Sequence, residues 1–286
     1  MYSTPTYTTL ISVDDLAAQH QQENWIILDC RHDLMNPNAG RDAFATGHLP
    51  NAQFVHLDEN LSGEKLGIDG QFLGRHPLPV RAAFIETLRS WGIHDDSQVI
   101  AYDAHGGMFA ARLWWMLRWV GHTAVAVLDG GLPAWQAANL PISTTLAPRA
   151  RGNIGAQPAL VTTVDVTDVL SNLSSKAKTV VDARAADRFR GENETIDPVG
   201  GHIPGAKNRF FKDNLQANGS FKPAEQLRAE WQTLISSAET AIMQCGSGVT
   251  ACHHLLALEV AGLTGAALFP GSWSQWCADP KRPVER

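Results

Sequence analysis

The stretch AIMQCGSGVTACHHLLALEVAG, residues 241–262, contains the features that decide the fold. Its apolar beginning is typical of a buried strand, and the apolar periodicity that follows Val249 is typical of a helix. Between the two elements lies Cys245, followed by a loop of small residues. In parallel α/β sheets, binding and catalytic sites lie at this end of the strands. The stretch therefore predicts an α/β fold with a thiol at its functional edge.

The same arrangement occurs twice in the chain. The segment VIAYDAHGGMFAARLWWMLRWVG (99–121) matches residues 241–262, and IILDCRHD…TGHLPNAQFV (26–55) matches VVDARAADRF…GGHIPGAKNR (180–209). A period of about 130 residues is too long for a solenoid and indicates duplication of a whole domain. Strands alternate with helices in each copy, so we predict two tandem α/β domains, each with a mainly parallel sheet flanked by helices.

The predicted boundary between the copies lies in TTLAPRARGNIGAQP, which is rich in small residues, proline and glycine. We expect a non-catalytic N-terminal domain at 1–145, a linker at 146–158 and a catalytic C-terminal domain at 159–286. The division of labour rests on the alignment of Gly121 with Gly262, which sets Ala104 opposite Cys245.

The composition excludes several functional classes. The chain has 286 residues, 44% hydrophobic and 18% charged, with a net charge of −6. This charge disfavours general binding to nucleic acids or membrane surfaces. No apolar run reaches the roughly 18 residues of a membrane span. The four cysteines have no disulfide-framework spacing and the first residues lack a signal-peptide pattern, so we expect reduced thiols and a cytoplasmic location.

The loop after Cys245 is suited to hold an anion. A glycine-rich loop that leads into a helix presents backbone N–H groups and the positive end of the helix dipole. These groups stabilise a thiolate, a persulfide or an anionic substrate. Gly246 and Gly248 permit the tight curvature, and the amides of Val249 and Thr250 complete the predicted cradle. The context favours a reactive Cys245 over an inert buried thiol.

The chain resembles the tandem rhodanese-type sulfurtransferases over nearly its whole length. The resemblance is carried by GHLPNA and GHIPGA, LDGGLPAW and PGSWSQW, AYDAHGGMFAARLWW, and the loop CGSGVTA. The loop is similar to that of 3-mercaptopyruvate sulfurtransferases, whereas thiosulfate-preferring relatives usually carry arginine and lysine at the positions of Gly246 and Ser247. The resemblance implies that Cys245 takes sulfur from 3-mercaptopyruvate as a persulfide. Pyruvate then leaves, and a thiol, cyanide or a thioredoxin-like protein accepts the sulfur without any cofactor.

The same resemblance implies further site residues. It suggests a Ser–His–Asp set that bridges the two copies, with Ser247 from the loop and His76 and Asp58 from the first copy. It also implies that Arg188 anchors the substrate carboxylate, with Arg190 as a weaker alternative.

Two other arginines, Arg184 and Arg75, belong to the same motifs or lie beside the predicted site residues. Arg184 repeats Arg31 of the first copy, which predicts a structural role for both. The family's second anchoring arginine has no counterpart, because no basic residue lies between Arg190 and His202. Arg75 is a weaker candidate to face the site.

The remaining alternatives are a thiosulfate:cyanide sulfurtransferase and a non-catalytic persulfide carrier. A cysteine phosphatase is disfavoured because the sixth residue after Cys245 is Ala251 where an arginine is required. The run Cys252-His253-His254 predicts no metal site, since neighbouring positions on a helix point in different directions.

Overall fold

The computed structural model describes residues 5–146 and 148–286, and the chain forms two compact units. The first unit comprises the segments up to Leu61, Val80–Leu160 and Ala217–Phe221. The second comprises Ser62–Pro79, Val161–Gln216 and Lys222–Arg286. One segment of the N-terminal half therefore belongs to the second unit. The predicted domain limits stay a prediction, and residue 147 of the predicted linker lies outside the described residues.

The first unit contains a five-stranded sheet of parallel neighbours in the order β1-β5-β4-β2-β3. Its strands are β1 (Leu10–Ile11), β2 (Trp25–Asp29), β3 (Ala52–Phe54), β4 (Gln98–Tyr102) and β5 (Val125–Leu128). Its helices are α1 (Val13–Gln19), α2 (Ala39–Thr46), α3 (Leu57–Asn60), α4 (Arg81–Ser90), α5 (Ala110–Trp119) and α6 (Gly131–Ala137).

The second unit repeats this topology with a parallel sheet in the order β6-β10-β9-β7-β8. Its strands are β6 (Thr162–Thr163), β7 (Thr179–Asp182), β8 (Lys207–Asn208), β9 (Ala241–Gln244) and β10 (Ala267–Leu268). Its helices are α7 (Val166–Ser175), α8 (Ala186–Phe189), α9 (Ala224–Leu234), α10 (Thr250–Val260) and α11 (Ser272–Trp276), with 3-10 turns at Phe211–Asn214 and Ala238–Thr240. The predicted pair of α/β domains with parallel sheets is confirmed.

The central strands are buried on both faces. Every residue of β2, β4 and β5 is buried, as are all four residues of β9, because helices cover both sides of a parallel sheet. Seven tryptophans are almost fully buried and belong to the cores: Trp25, Trp114, Trp115, Trp135, Trp231, Trp273 and Trp276. Within the described residues, no helix is both long enough and apolar enough to cross a membrane.

The part of the predicted linker that the structure describes packs on the first unit. Ile154 is buried, and its backbone N–H donates to the carbonyl of Ile93 at 3.1 Å. The N–H of Gln157 donates to the carbonyl of Val120 at 3.0 Å. These hydrogen bonds make the segment an ordered part of the unit.

Each unit holds a buried aspartate–arginine pair at the end of the strand next to the central one, β2 in the first unit and β7 in the second. Arg31 donates from Nε and Nη2 to the carboxylate of Asp29, with 2.6 Å between Nη2 and Oδ2. Arg184 binds Asp182 in the same way, at 2.7 Å. Each arginine also donates to a carbonyl in the segment before the next strand. The predicted structural role of this repeated arginine therefore agrees with the contacts.

The loop after β4 encloses the carboxylate of Asp103. Oδ1 accepts backbone N–H groups from His105 and Gly107 at 2.7 and 3.0 Å. Oδ2 accepts those of Phe109 and Ala110 at 2.7 and 2.9 Å. Four amides at the start of α5 thus converge on one anion that the chain itself provides.

This arrangement corrects the alignment of Ala104 with Cys245. In the sheets, Asp29 pairs with Tyr102 and Asp182 pairs with Gln244, so the residue after Tyr102 is the counterpart of Cys245. That residue is Asp103. The alignment on the helix-end glycines slips by one residue, because the loop before α5, 104–109, is two residues longer than the loop before α10, 246–249, while α5 is one residue shorter than α10.

The same equivalence appears beyond the strands. The backbone carbonyl of Asp103 accepts the N–H of Leu132 at 2.8 Å, and that of Cys245 accepts the N–H of Trp273 at 3.0 Å. Both donors lie at the start of the following short helix. The first unit therefore has an aspartate at the position where the second unit has its candidate nucleophile.

We predict that Asp103→Asn lowers the free energy of unfolding by about 2–4 kcal/mol. The substitution replaces one carboxylate oxygen by an NH2 group, which cannot accept hydrogen bonds from the backbone N–H groups that face it. Denaturant titration followed by circular dichroism measures the change. Asp96→Asn, at an exposed turn of the same unit, is the matched control. Equal stability of the Asp103 variant and the control would contradict the proposed cradle.

Candidate active site

Cys245 lies directly after β9, and the four loop residues that follow it lead into α10. Its Sγ accepts the backbone N–H of Gly248 at 3.1 Å. Gly248 has a φ of 79°, and a Cβ there would lie 2.4 Å from the carbonyl oxygen of Pro270. Only glycine fits this position. The loop therefore holds an amide against the sulfur, as the sequence predicted.

The first residues of α11 form hydrogen bonds with the backbone of the cysteine loop. The backbone N–H of Cys245 donates to Oγ of Ser272 at 3.1 Å. The carbonyls of Cys245 and Gly246 accept the N–H groups of Trp273 and Ser274 at 3.0 and 2.9 Å. Ser272 was missed at the sequence level, although it lies in the PGSWSQW motif that marked the family. Its hydroxyl holds the backbone of Cys245.

The segment Ser62–Pro79 brings further side chains to the start of α11 within the second unit. The backbone N–H of Arg75 donates to Oγ of Ser274 at 3.1 Å. A Cβ on Gly74, whose φ is 114°, would lie 2.9 Å from the carbonyl oxygen of Gly271. The backbone at 74–75 is therefore fixed against the residues that also hold the cysteine loop.

The structure brings His76 and Ser247 together. Nδ1 of His76 lies 2.7 Å from Oγ of Ser247, and both residues are buried. The Ser247 hydroxyl, two residues after Cys245 in the chain, is thus hydrogen-bonded to the imidazole of His76. A serine oxygen held in this way can polarise a carbonyl group.

Asp58, the third member of the predicted set, lies at the start of α3 in the first unit. There its Oδ2 is 3.9 Å from Nε2 of His32, and its N–H donates to Nδ1 of His56. Its pairing with His76 stays a prediction.

His32, His56 and Asp58 are close enough to suggest a metal site, but the histidine contacts argue against one. Nδ1 of His56 accepts backbone N–H groups of Asp58 and Glu59. Nε2 of His56 lies 3.0 Å from the carbonyl oxygen of Pro37. Both ring nitrogens of His56 are therefore engaged in hydrogen bonds.

Arg188 reaches the cysteine loop and is held by acidic residues. Its Nε and Nη2 donate to the carboxylate of Glu194 at 2.8–3.1 Å, and Nη2 lies 3.4 Å from Oδ2 of Asp197. Nη2 is also 3.8 Å from the point where a Cβ on Gly246 would lie. By contrast, Arg190 is exposed and pairs with Glu192, so it does not serve as the alternative anchor.

Arg75 supplies a positive charge beside the cysteine loop, which has no charged residue of its own. Its Nη1 donates to Oδ1 of Asp197, and its Nη2 lies 2.7 Å from the Cβ position of Gly246. The guanidinium therefore fills the space that a side chain at position 246 would occupy. The cation that the loop lacks in sequence comes from another segment of the chain.

The acidic residues that hold these arginines are themselves buried, with 3% of each side chain exposed. Burial raises the pKa of the Asp197 carboxyl, and the charge of Arg75 only partly offsets this. Burial acts in the same direction on Glu194, but the hydrogen bonds and charge of Arg188, together with the backbone N–H groups of Asp197 and Ile196, outweigh it and lower the pKa of that carboxyl. Neither acid was predicted from the sequence.

The other cysteines lie in environments that disfavour a thiolate. Burial, with the nearby charges of Asp103 and Asp29, raises the pKa of Cys30 well above its usual value. Burial also raises the pKa of Cys277, to about 11. Cys252 donates its S–H to the carbonyl of Gly248. Of the four cysteines, Cys245 is the one whose sulfur accepts a backbone amide.

Comparison with known proteins agrees with this geometry. Residues 12–138 and 165–279 match the family model described as the rhodanese-like domain. A probable 3-mercaptopyruvate sulfurtransferase of Pseudomonas aeruginosa is 42% identical over 279 residues, which cover 96% of this chain and 97% of that protein. A putative thiosulfate sulfurtransferase of Mycobacterium tuberculosis is 39% identical over 280 residues, covering 97% and 96%.

A solved structure shows the same likeness. The 3-mercaptopyruvate sulfurtransferase of Leishmania major superposes with a TM-score of 0.83 at 28% sequence identity. The match covers 96% of this chain and 76% of that one.

We predict that iodoacetamide at neutral pH alkylates Cys245 first, because the amide of Gly248 stabilises its thiolate while burial disfavours the thiolate of Cys277. Exposure alone predicts the opposite order, since Cys277 is 7% exposed and Cys245 2%. Peptide mapping by mass spectrometry measures the order. Labelling first at Cys30, Cys252 or Cys277 would contradict the assignment.

Proposed function

The chain belongs to the rhodanese-like family, and from that premise we propose that it transfers sulfur from 3-mercaptopyruvate through a persulfide on Cys245. The observation that carries the choice of donor is the hydrogen bond between His76 and Ser247, at 2.7 Å. A polarised hydroxyl beside the nucleophile serves a donor that has a carbonyl group. Thiosulfate has none.

In the first half-reaction, the Cys245 thiolate attacks the sulfur of 3-mercaptopyruvate. An S–S bond forms and the C–S bond breaks, so its electron pair moves onto carbon as the enolate of pyruvate. With a proton on Nδ1, His76 donates to Oγ of Ser247, and the hydroxyl proton is left for the carbonyl oxygen where charge develops. The enolate then takes the proton that the donor thiol has lost and leaves as pyruvate.

In the second half-reaction, a nucleophilic acceptor attacks the outer sulfur of the persulfide. The S–S bond breaks and its electron pair returns to Cys245 as the thiolate. Between the two steps the persulfide anion is held by the backbone amides of the loop, Gly246, Gly248, Val249 and Thr250. A thiol, cyanide or a thioredoxin-like protein meets the requirement for an acceptor, and the cycle needs no cofactor or metal.

Arg188 is proposed to hold the carboxylate of the donor. Its position at the loop supports this role, because Nη2 is 3.8 Å from the Cβ position of Gly246. Arginine is suited to the task because its planar fork matches a carboxylate.

The first unit is proposed to be non-catalytic. The amides of its loop bind the carboxylate of Asp103, and a carboxylate contains no sulfur that could act as the nucleophile. Asp58 of this unit is proposed to orient His76, as the family resemblance implies.

Thiosulfate remains a second candidate donor because of Arg75. The guanidinium over Gly246 supplies a positive charge that a small dianion can use, and one of the two relatives described above is named for thiosulfate. A non-catalytic persulfide carrier is a weaker alternative, since it has no use for the pair of His76 and Ser247. We place the protein in the reducing cytoplasm, in keeping with its four free cysteines, without nucleic-acid or membrane partners.

We predict a higher kcat/KM for 3-mercaptopyruvate than for thiosulfate with cyanide as acceptor. Ser247→Ala should lower kcat with 3-mercaptopyruvate by about 100-fold, because the developing oxyanion loses its hydrogen-bond donor, while turnover with thiosulfate changes little. Steady-state kinetics with both donors measures the difference. An equal loss with both donors, or a wild-type preference for thiosulfate, would contradict the proposal.

We predict that Arg188→Gln raises KM for 3-mercaptopyruvate by about 10- to 100-fold, since one charge-assisted contact contributes about 1.5–3 kcal/mol. The effect on kcat should be smaller, because a carboxylate anchor acts in the ground state and the transition state alike. Arg190→Gln removes an exposed arginine nearby and should leave both constants unchanged. An unaltered KM in the Arg188 variant would exclude its role as the anchor.

A further inference from the structure

Ser272 has a backbone conformation that only glycine adopts freely. Its φ is 52°, in the left-handed region where the Cβ of other residues crowds the following carbonyl oxygen. The equivalent residue of the first unit is Gly131, since each of the two precedes the N–H donor that binds the strand-end carbonyl. Gly131 has a φ of 58°, and a Cβ there would lie 2.3 Å from the carbonyl oxygen of Asp103. The second unit therefore keeps a side chain where the backbone conformation favours glycine.

The side chain that is kept is a hydroxyl with both of its hydrogen-bonding functions in use. Oγ of Ser272 donates to the carbonyl of Phe269 at 2.9 Å and accepts the backbone N–H of Cys245 at 3.1 Å. Because the hydroxyl proton goes to Phe269, a lone pair of the oxygen is left for the N–H of Cys245. Ser272 is fully buried. The hydroxyl thus ties the residue after β10 to the residue after β9.

The residues before Ser272 contact the amide that faces the sulfur. A Cβ on Gly248 would lie 2.4 Å from the carbonyl oxygen of Pro270, so the two backbones are in close contact. Gly248 donates its N–H to Sγ of Cys245 at 3.1 Å. Residues 269–272 therefore contact both ends of this hydrogen bond, Gly248 through Pro270 and Cys245 through Ser272. Loss of the Ser272 hydroxyl would leave the sulfur less firmly held against the amide.

We propose that Ser272 is a positioning residue for the nucleophile. It fixes the backbone of Cys245 so that Sγ stays against the N–H of Gly248, and its left-handed conformation is kept for this contact, as strained residues are at other functional sites. The inference rests on the proposed function, because the amide that stabilises the thiolate also stabilises the persulfide. Its hydroxyl is committed to two backbone groups, so Ser272 acts through Cys245 and not on the donor.

The test replaces Ser272 by glycine, which the first unit has at this position and which adopts the conformation without a steric penalty. The first readout is the midpoint of the pH dependence of Cys245 alkylation by iodoacetamide, which needs no turnover. We expect Ser272→Gly to raise this midpoint by about one pH unit, since the thiolate loses part of a charge-assisted contact. At the wild-type midpoint the thiolate fraction then falls about fivefold, and single-turnover sulfur uptake from saturating 3-mercaptopyruvate slows accordingly. An unchanged midpoint, or a raised midpoint with unchanged uptake, overturns the proposal.

Two further variants separate the hydroxyl from the backbone conformation. Lys176→Gly is the matched control, because Lys176 is an exposed residue at the end of α7 with a φ of 50°. It relieves the same left-handed conformation outside the cysteine loop and should keep the wild-type midpoint and uptake. Ser272→Ala removes the hydroxyl but keeps the Cβ, and should raise the midpoint as far as Ser272→Gly does. A raised midpoint in Ser272→Gly alone assigns the effect to a more flexible backbone and overturns the proposal.

The remaining outcomes concern folding and the donor. Circular dichroism shows whether the Ser272 variants are folded, and loss of the folded state in both would make the hydroxyl a requirement of the fold and overturn the proposal. If wild type takes no sulfur from 3-mercaptopyruvate while both Ser272 variants raise the alkylation midpoint, the proposed donor is overturned and this inference is supported.

Discussion

In each unit, the loop after the central strand turns its backbone N–H groups towards one side chain at the strand end. In the first unit, four of these groups bind the carboxylate of Asp103. In the second, the amide of Gly248 binds the sulfur of Cys245. The protein thus places loop amides against a strand-end side chain twice, once against the carboxylate of Asp103 and once against the sulfur of Cys245, the proposed nucleophile.

The charges around the cysteine loop are organised by buried acids. Asp182 fixes Arg184 by accepting hydrogen bonds from its backbone N–H, Nε and Nη2, while Glu194 and Asp197 hold the arginines that face the loop. An exposed arginine gains little from an ion pair because water competes for both partners. Burial of the acids keeps each guanidinium in one orientation, so a substrate meets donors that are already in place. Binding then costs less side-chain entropy.

The sequence predicted those features that depend on residues close to one another along the chain. Cys245 was found because a strand, a small-residue loop and a helix follow one another along the chain. Asp103 was missed, since alignment on Gly121 and Gly262 does not register a change in loop length before the helix. The position of Arg75 over the loop could not be predicted for a different reason: it depends on a segment of the N-terminal half that packs within the second unit. Such a long-range contact leaves no signal in spacing or periodicity.

The central claim is that the second cradle stores sulfur on Cys245. The most direct measurement is mass spectrometry of the intact protein and its peptides after treatment with 3-mercaptopyruvate in the absence of an acceptor. The account predicts a gain of one sulfur atom per chain, located on the peptide that contains Cys245 and lost on addition of cyanide. A protein that gains no sulfur, or gains it on Cys30, Cys252 or Cys277, would contradict the account.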